Sequence, residues 1–244
     1  FKLRQGVCIM TLFLSHRGES DDAPENTLNA FSLAMERDSD GIELDIRLSA
    51  DGEVVCVHDE TLERVAGAKL AVAEASLAEL RKIYPVPRLS EALAVLRPGK
   101  HLQIELKGVQ PLARPLKTVL EQWGGDRRSL ALSSFEESTI QSAAELFPDL
   151  PRLLLIDLKE RFGVFPSAEQ VMDYLRKLHC TGVSFKATTE ADAAFVAALH
   201  AEKFRVVSWG VFSDELGLAM AALGVDAMTC NHAVALRRRW RERS

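Results

Sequence analysis

From Thr11 onward, short runs of apolar and β-branched residues alternate with longer stretches whose apolar positions recur at helical spacing, the rhythm of strands followed by helices. Eight strand candidates follow in order: MTLFL, GIELDI, HLQIELK, SLALSSF, RLLLI, GVSF, RVVSWGV and DAMTC. Between most of them lie predicted helices, over Asn26–Arg37, Leu112–Trp123, Glu136–Phe147, Ala168–His179, Glu190–Ala201 and Asp214–Leu223. Eight strands separated by helices predict a parallel TIM (β/α)8 barrel.

One stretch breaks the alternation. RLSADGEVVCVHDETLER follows the second strand with Asp51-Gly52 between two alternating runs, which signals a hairpin instead of a helical crossover. Its return arm ends at His58, which is expected to come back to roughly the level of Asp45, its partner across the hairpin. Residues 47–88 then form an insertion, and RLSEALAVL is the delayed second helix. No linker or low-complexity run divides the chain, so residues 10–244 are expected to form one domain, preceded over residues 1–9 by a dispensable N-terminal extension or vector remnant.

Composition narrows the class. The 244 residues, 47% of them hydrophobic, suffice for one large core. Thirty Lys and Arg against thirty-five Asp and Glu give a net charge of -5, which argues against a nucleic-acid partner, and the short basic tail RRRWRERS reads as a solvated last turn. Cys8, Cys56, Cys180 and Cys230 are scattered among apolar residues without metal-ligand spacing, as in a protein of the reducing cytoplasm. The run Val7–Leu14 is too short for a membrane span and precedes no cleavage site, so no membrane insertion is expected.

Candidate chemistry sits where barrel active sites sit, at the C-terminal ends of strands. The first strand runs into His16 and Arg17. Glu43 and Asp45, two residues apart, face one side of the second strand, with Leu44 and Ile46 on the other. Glu105 and Lys107 repeat the device on the next. Three carboxylates converging from neighbouring strand ends repel by about 4 kcal/mol per pair at 4 Å and an effective dielectric of 20. Such a cluster needs a cation or must stay partly protonated. All-oxygen ligation favours one divalent cation, Mg2+ or Ca2+, over Zn2+. With that ion, Arg17 and Lys107 leave a single net positive charge, which a phosphodiester monoanion matches.

The motifs HRG…PENTLNAF, GIELDIRLSADGEVVCVHDETLER and IELK, with SSF, VVSWGV and ALGVDAMTCN further on, resemble the glycerophosphodiester phosphodiesterase family over most of the chain. The resemblance implies a metal-dependent phosphoric diester hydrolase of glycerol and lipid metabolism that releases sn-glycerol 3-phosphate from small glycerophosphodiesters. Residue by residue, it implies a cation on Glu43, Asp45 and Glu105, acid/base histidines His16 and His58, phosphate contacts from Arg17 and Lys107, and Trp209 as a wall of the glycerol pocket. Phe135 is a weaker candidate for that wall, Asp59 reads as a turn or cap residue, and Asn26 or Thr27 caps the first helix. The chain departs from the family at Asn231, where an aspartate is usual, and in its short insertion, which leaves the leaving-group side more open. His16 as base and His58 as acid, water or the glycerol 2-hydroxyl as nucleophile, the alcohol released and the oligomeric state all stay open. Two alternatives stand beside this reading: a lysophospholipase D-like activity on lipids and a silent phosphodiester-binding barrel.

Overall fold

The computed structural model describes residues 10–109 and 111–243, so the extension expected over residues 1–9 lies outside the described residues. Its frame is nine strands: β1 (Leu12–His16), β2 (Gly41–Leu48), β3 (Val54–Cys56), β4 (His101–Leu106), β5 (Leu130–Ser134), β6 (Arg152–Ile156), β7 (Gly182–Lys186), β8 (Arg205–Trp209) and β9 (Ala227–Cys230). β1 pairs in parallel with both β2 and β9, which closes β1, β2 and β4 to β9 into an eight-stranded parallel ring, the expected TIM barrel. β3 lies outside the ring, antiparallel to the end of β2.

Residue alternation decides what each strand shows to the two sides. Leu44, Ile46, Leu102, Ile104 and Leu106 point outward into a core shared with the flanking helices. Inside, Leu14, Ala131, Leu153, Val207 and Ala227 plug the base of the barrel. Each barrel strand is covered on both faces, so burial of this apolar set is what holds the ring closed.

The insertion departs from the expectation in two respects. Leu48 pairs with Val54, so the hairpin is closed by a five-residue loop, Ser49–Glu53, and not by a two-residue Asp-Gly turn. Ser49 Oγ braces it by accepting from Glu53 N at 3.1 Å. The register places Ile46 opposite Cys56, and Val57 N donates to Asp45 O at 3.1 Å, so the residue level with Asp45 is Val57 and His58 lies one position further on. The rest folds over short helices at Glu63–Ala66 and Leu77–Arg81, with a satellite core of Val55, Val57, Leu62, Leu77, Leu80 and Tyr84.

Helix boundaries follow the caps. Thr27 starts Leu28–Glu36 by accepting from Ala30 N at 3.3 Å. Asp192 caps Ala193–Ala201, which therefore starts three residues later than expected. The helix expected over Ala168–His179 ends at Lys177, and a short helix, Leu158–Phe162, follows β6 unannounced by the alternation.

Gly41 opens β2 at a close approach of chains, where a Cβ would meet the carbonyl oxygen of His101 at 2.2 Å. Gly41→Ala is therefore expected to destabilise the protein by about 3 kcal/mol, the upper end of overpacking penalties. Gly52→Ala, at a positive φ with open space around it, is expected to cost about 1 kcal/mol. Urea denaturation of the two variants checks the order.

Candidate active site

One edge of β2 organises the site. Two of its carbonyls, two residues apart, receive the ends of two other segments: Arg17 N donates to Glu43 O at 2.8 Å as β1 finishes, and Val57 N donates to Asp45 O as β3 leaves. His16 and His58, distant in sequence, are thereby set on the flank of the Glu43 and Asp45 side chains. β4 pairs with the other edge of β2 and puts Glu105 level with Asp45.

The three carboxylates offer ligand oxygens within 4.8 Å of one another, and all three residues are buried. Burial pushes Glu43 well above the usual carboxylate range, and the charges of Asp45 and Glu105 push it further. Glu105 is raised to about 7 by burial and then by Asp45. Burial also opposes ionisation of Asp45, but Lys107 and Arg17 outweigh it and hold that carboxyl low. Three ionised carboxylates cannot share this volume without a counter-cation. The donor set fits a hard divalent ion, because every candidate ligand is an oxygen and Asp45 Oδ1 is buried without a hydrogen-bond partner among the described residues.

The flanking cations are braced. Arg17 sits at a positive φ of 57° with its Nη1 2.9 Å from Glu25 and its Nε 3.3 Å from Asp45 Oδ2. Lys107 Nζ lies 2.6 Å from Glu105 and 3.6 Å from Asp45 Oδ1. Asn26 grips Asp45 twice, donating from Nδ2 at 2.8 Å and accepting the Asp45 N–H at 3.2 Å. The sequence offered Asn26 only as a helix cap; its φ of 53° turns it away from that role and toward the carboxylate.

Each histidine has its own anchor. His16 Nδ1 lies 2.8 Å from Asn231 Oδ1, and its Nε2 lies 3.9 Å from Glu43. His58 Nδ1 lies 2.5 Å from Asp59, whose other oxygen takes a 2.6 Å bond from Arg64 Nε. Arg64 also binds Glu25 through both terminal nitrogens at 2.7 Å, which completes an ionic chain from His58 to Arg17. Asp59 thus supports a histidine, where the sequence suggested a turn residue. Arg47 Nε donates to the carbonyl of His58 at 2.9 Å and ties the hairpin end to β2. Burial lowers the pKa of both histidines, and Arg17 adds to the effect at His16.

These groups open into a cavity of about 500 Å³ whose far wall is apolar: Phe135, Leu155, Trp209, Val211 and Phe212. Phe135 and Trp209 meet edge to face at 5.1 Å, and Trp209 Nε1 is buried with no hydrogen-bond partner among the described residues. His232, just past β9, also lines the cavity and reaches Asp214 at 2.9 Å. Lys186 is exposed and paired with Asp157 at 2.9 Å, and is not part of the lining.

A barrel that sets paired histidines and two cationic side chains around a cation-demanding cluster has the equipment of a hydrolase for phosphate diesters. Residues 16–235 match the model of the glycerophosphoryl diester phosphodiesterase family, and the chain belongs to that family. It is 28% identical over 238 residues to a glycerophosphodiester phosphodiesterase of Bacillus altitudinis, covering 90% of this chain and 94% of that one. Among solved structures, the glycerophosphodiester phosphodiesterase of Thermotoga maritima superposes with a TM-score of 0.77 at 26% identity, over 94% of this chain and 98% of that one. A phosphodiesterase of Oleispira antarctica, in complex with the product sn-glycerol-3-phosphate, gives a TM-score of 0.81 at 27% identity, over 94% and 96%. Among the described residues, no helix is long and apolar enough to cross a membrane.

Protons and a divalent cation compete for the same carboxylate oxygens. Glu105, raised to about 7, gives up its proton as pH climbs through that range, and Glu43 is raised as well. The rise in Tm produced by saturating Ca2+ or Mg2+ is therefore expected to grow between pH 5 and pH 8, as thermal melts with and without ion will show. A Tm increment that shrinks with pH over that window would place the ion elsewhere.

Proposed function

We propose that the protein hydrolyses glycerophosphodiesters to sn-glycerol 3-phosphate and an alcohol, using one divalent cation, Mg2+ or Ca2+, held by Glu43, Asp45 and Glu105. The observation that carries this reading is the placement of His16 and His58 on one flank of a buried three-carboxylate cluster, with Arg17 and Lys107 beside it in one cavity. The product bound to the Oleispira relative supports glycerol phosphate as the half retained.

When bound, the cation supplies Lewis acidity at a phosphoryl oxygen and a glycerol hydroxyl and cancels the repulsion among its ligands. Arg17, braced by Glu25, offers a planar donor fork to the phosphoryl oxygens, and Lys107 adds a point charge where negative charge builds up. His16, with its Nδ1 on a neutral amide, takes the proton from the nucleophile, water or the glycerol 2-hydroxyl. His58, with its Nδ1 on the Asp59 carboxylate, gives a proton to the departing alkoxide. Burial lowers its pKa, while Asp45 and Asp59 support the charged form against it. Trp209 and Phe135 wall the glycerol, and the indole Nε1 has a donor free for a substrate hydroxyl. Residues 10–244 act as one domain, and the buried free thiols of Cys56, Cys180 and Cys230 support a cytoplasmic setting.

A second substrate class is favoured by one observation. Phe212 is 83% exposed and Phe135 44% exposed at the mouth of the cavity, apolar surface that could meet the acyl chain of a lysophospholipid. That surface lies on the β5 and β8 ends, not on the insertion.

The test is release of sn-glycerol 3-phosphate from glycerophosphocholine and glycerophosphoethanolamine, with lysophosphatidylcholine in parallel. Release is expected to stop with EDTA and return with Mg2+ or Ca2+. His16→Ala and His58→Ala are each expected to lower kcat by about 10² to 10⁴. On a p-nitrophenyl diester, whose leaving group needs no proton, the His58→Ala loss is expected to shrink and the His16→Ala loss to persist. Release indifferent to both histidines contradicts the reading.

A further inference from the structure

We propose that Asp21 and Asn231 are positioning residues that hold His16 in the tautomer with hydrogen on Nδ1 and a free lone pair on Nε2. The inference deepens the reading of His16 as base and rests on it.

The geometry begins in the barrel. β1 and β9 are neighbours, with Ser15 opposite Cys230, so the next residue of each, His16 and Asn231, emerge side by side at the top of the ring. His16 Nδ1 lies 2.8 Å from Asn231 Oδ1, and Asn231 Nδ2 donates to Asp21 Oδ1 at 3.1 Å. Asp21 belongs to the loop after β1, which Gly18, at a φ of 83°, turns back so that Glu19 N reaches Ala30 O at 3.1 Å. Asp21, Asn231 and His16 all line the cavity.

Donor and acceptor parity supplies the argument. A side-chain amide has an accepting end and a donating end of almost the same shape. If Asn231 turned its NH2 toward His16, Nδ1 would have to accept, and the ring hydrogen would move to Nε2, the atom 3.9 Å from Glu43. His16 could then take no proton at that nitrogen. An ionised carboxylate can only accept, so Asp21 fixes which end of Asn231 faces it and, through the amide, which nitrogen of His16 carries hydrogen. The discrimination matters in rate: in the serine-protease triad, an amide in place of the histidine's carboxylate allows the wrong tautomer and costs about 10⁴ in kcat. This chain places an amide against its histidine, and Asp21 restores the choice that an amide alone leaves open. His58 needs no such device, because its Nδ1 faces the Asp59 carboxylate directly.

The experiment reads tautomer and rate separately on the Mg2+-saturated enzyme. Imidazole 1H–15N correlation spectra are expected to show His16 with hydrogen on Nδ1, and Asp21→Ala is expected to move a measurable fraction of it to Nε2. On glycerophosphocholine, Asp21→Ala is expected to lower kcat by about tenfold or more with KM within about twofold, since a reacting base set in the wrong form loses rate and not affinity. The exchange Asp21→Asn with Asn231→Asp keeps an acceptor against His16 and a donor behind it, and is expected to restore both the tautomer and most of kcat. A wild-type His16 with hydrogen on Nε2 overturns the proposal. So does an Asp21→Ala enzyme with unchanged tautomer and kcat, or one that raises KM alone, which would make Asp21 a substrate contact. The spectra need no turnover, so a failed tautomer assignment and a failed hydrolysis reading are told apart.

Discussion

Three carboxylates buried within reach of one another are the constraint around which this barrel is arranged. A protein interior tolerates such a group only if charge is neutralised by protons, by cationic side chains or by an ion. The first two are visible: Glu43 and Glu105 are pushed toward the protonated form, and Arg17 and Lys107 hold Asp45 ionised, while Asp45 Oδ1 has no hydrogen-bond partner among the described residues. A cluster of this kind is costly on its own and would become favourable with a cation among its oxygens, the arrangement that the proposed function requires.

The same constraint explains the second tier of residues. A buried carboxylate must be held where its charge is useful, and Asn26 does this for Asp45 from both its amide ends. Glu25, Arg64 and Asp59 form an ionic chain that joins Arg17 to His58, so the insertion and the first βα loop are locked together across the cavity rim. Rigid placement of that order is what general acid–base chemistry and oriented phosphate contacts require.

Much of this was legible in the sequence, for reasons that differ by residue. Alternation along GIELDI put Glu43 and Asp45 on one face and Leu44 and Ile46 on the other, and the structure keeps that division because a strand has only two sides. The eight-strand ring followed from the alternation of short and long apolar periods. The hairpin was legible as a hairpin, but its five-residue loop moved the register by one, since Ser49 and Glu53 close the turn and Asp-Gly does not. Asn231 stood out in the sequence as a replacement for a usual aspartate, whereas Asn26, Asp59 and Arg64 were not legible in their roles, because each depends on a partner brought close by tertiary structure: Asp45, His58 and Glu25 respectively. Polar residues in turn-rich segments have an ordinary local explanation, as caps and turns, and only the fold shows which of them face the site.

The most direct test of the account is a cation titration of Glu43→Gln beside the wild type, by calorimetry and thermal melts together. The account predicts one divalent ion per wild-type chain. It predicts that Glu43→Gln loses this binding while its metal-free form melts higher, because a neutral isostere relieves repulsion within the cluster. Undiminished binding in a variant that melts lower would contradict the claim that these carboxylates form an ion site held under electrostatic strain.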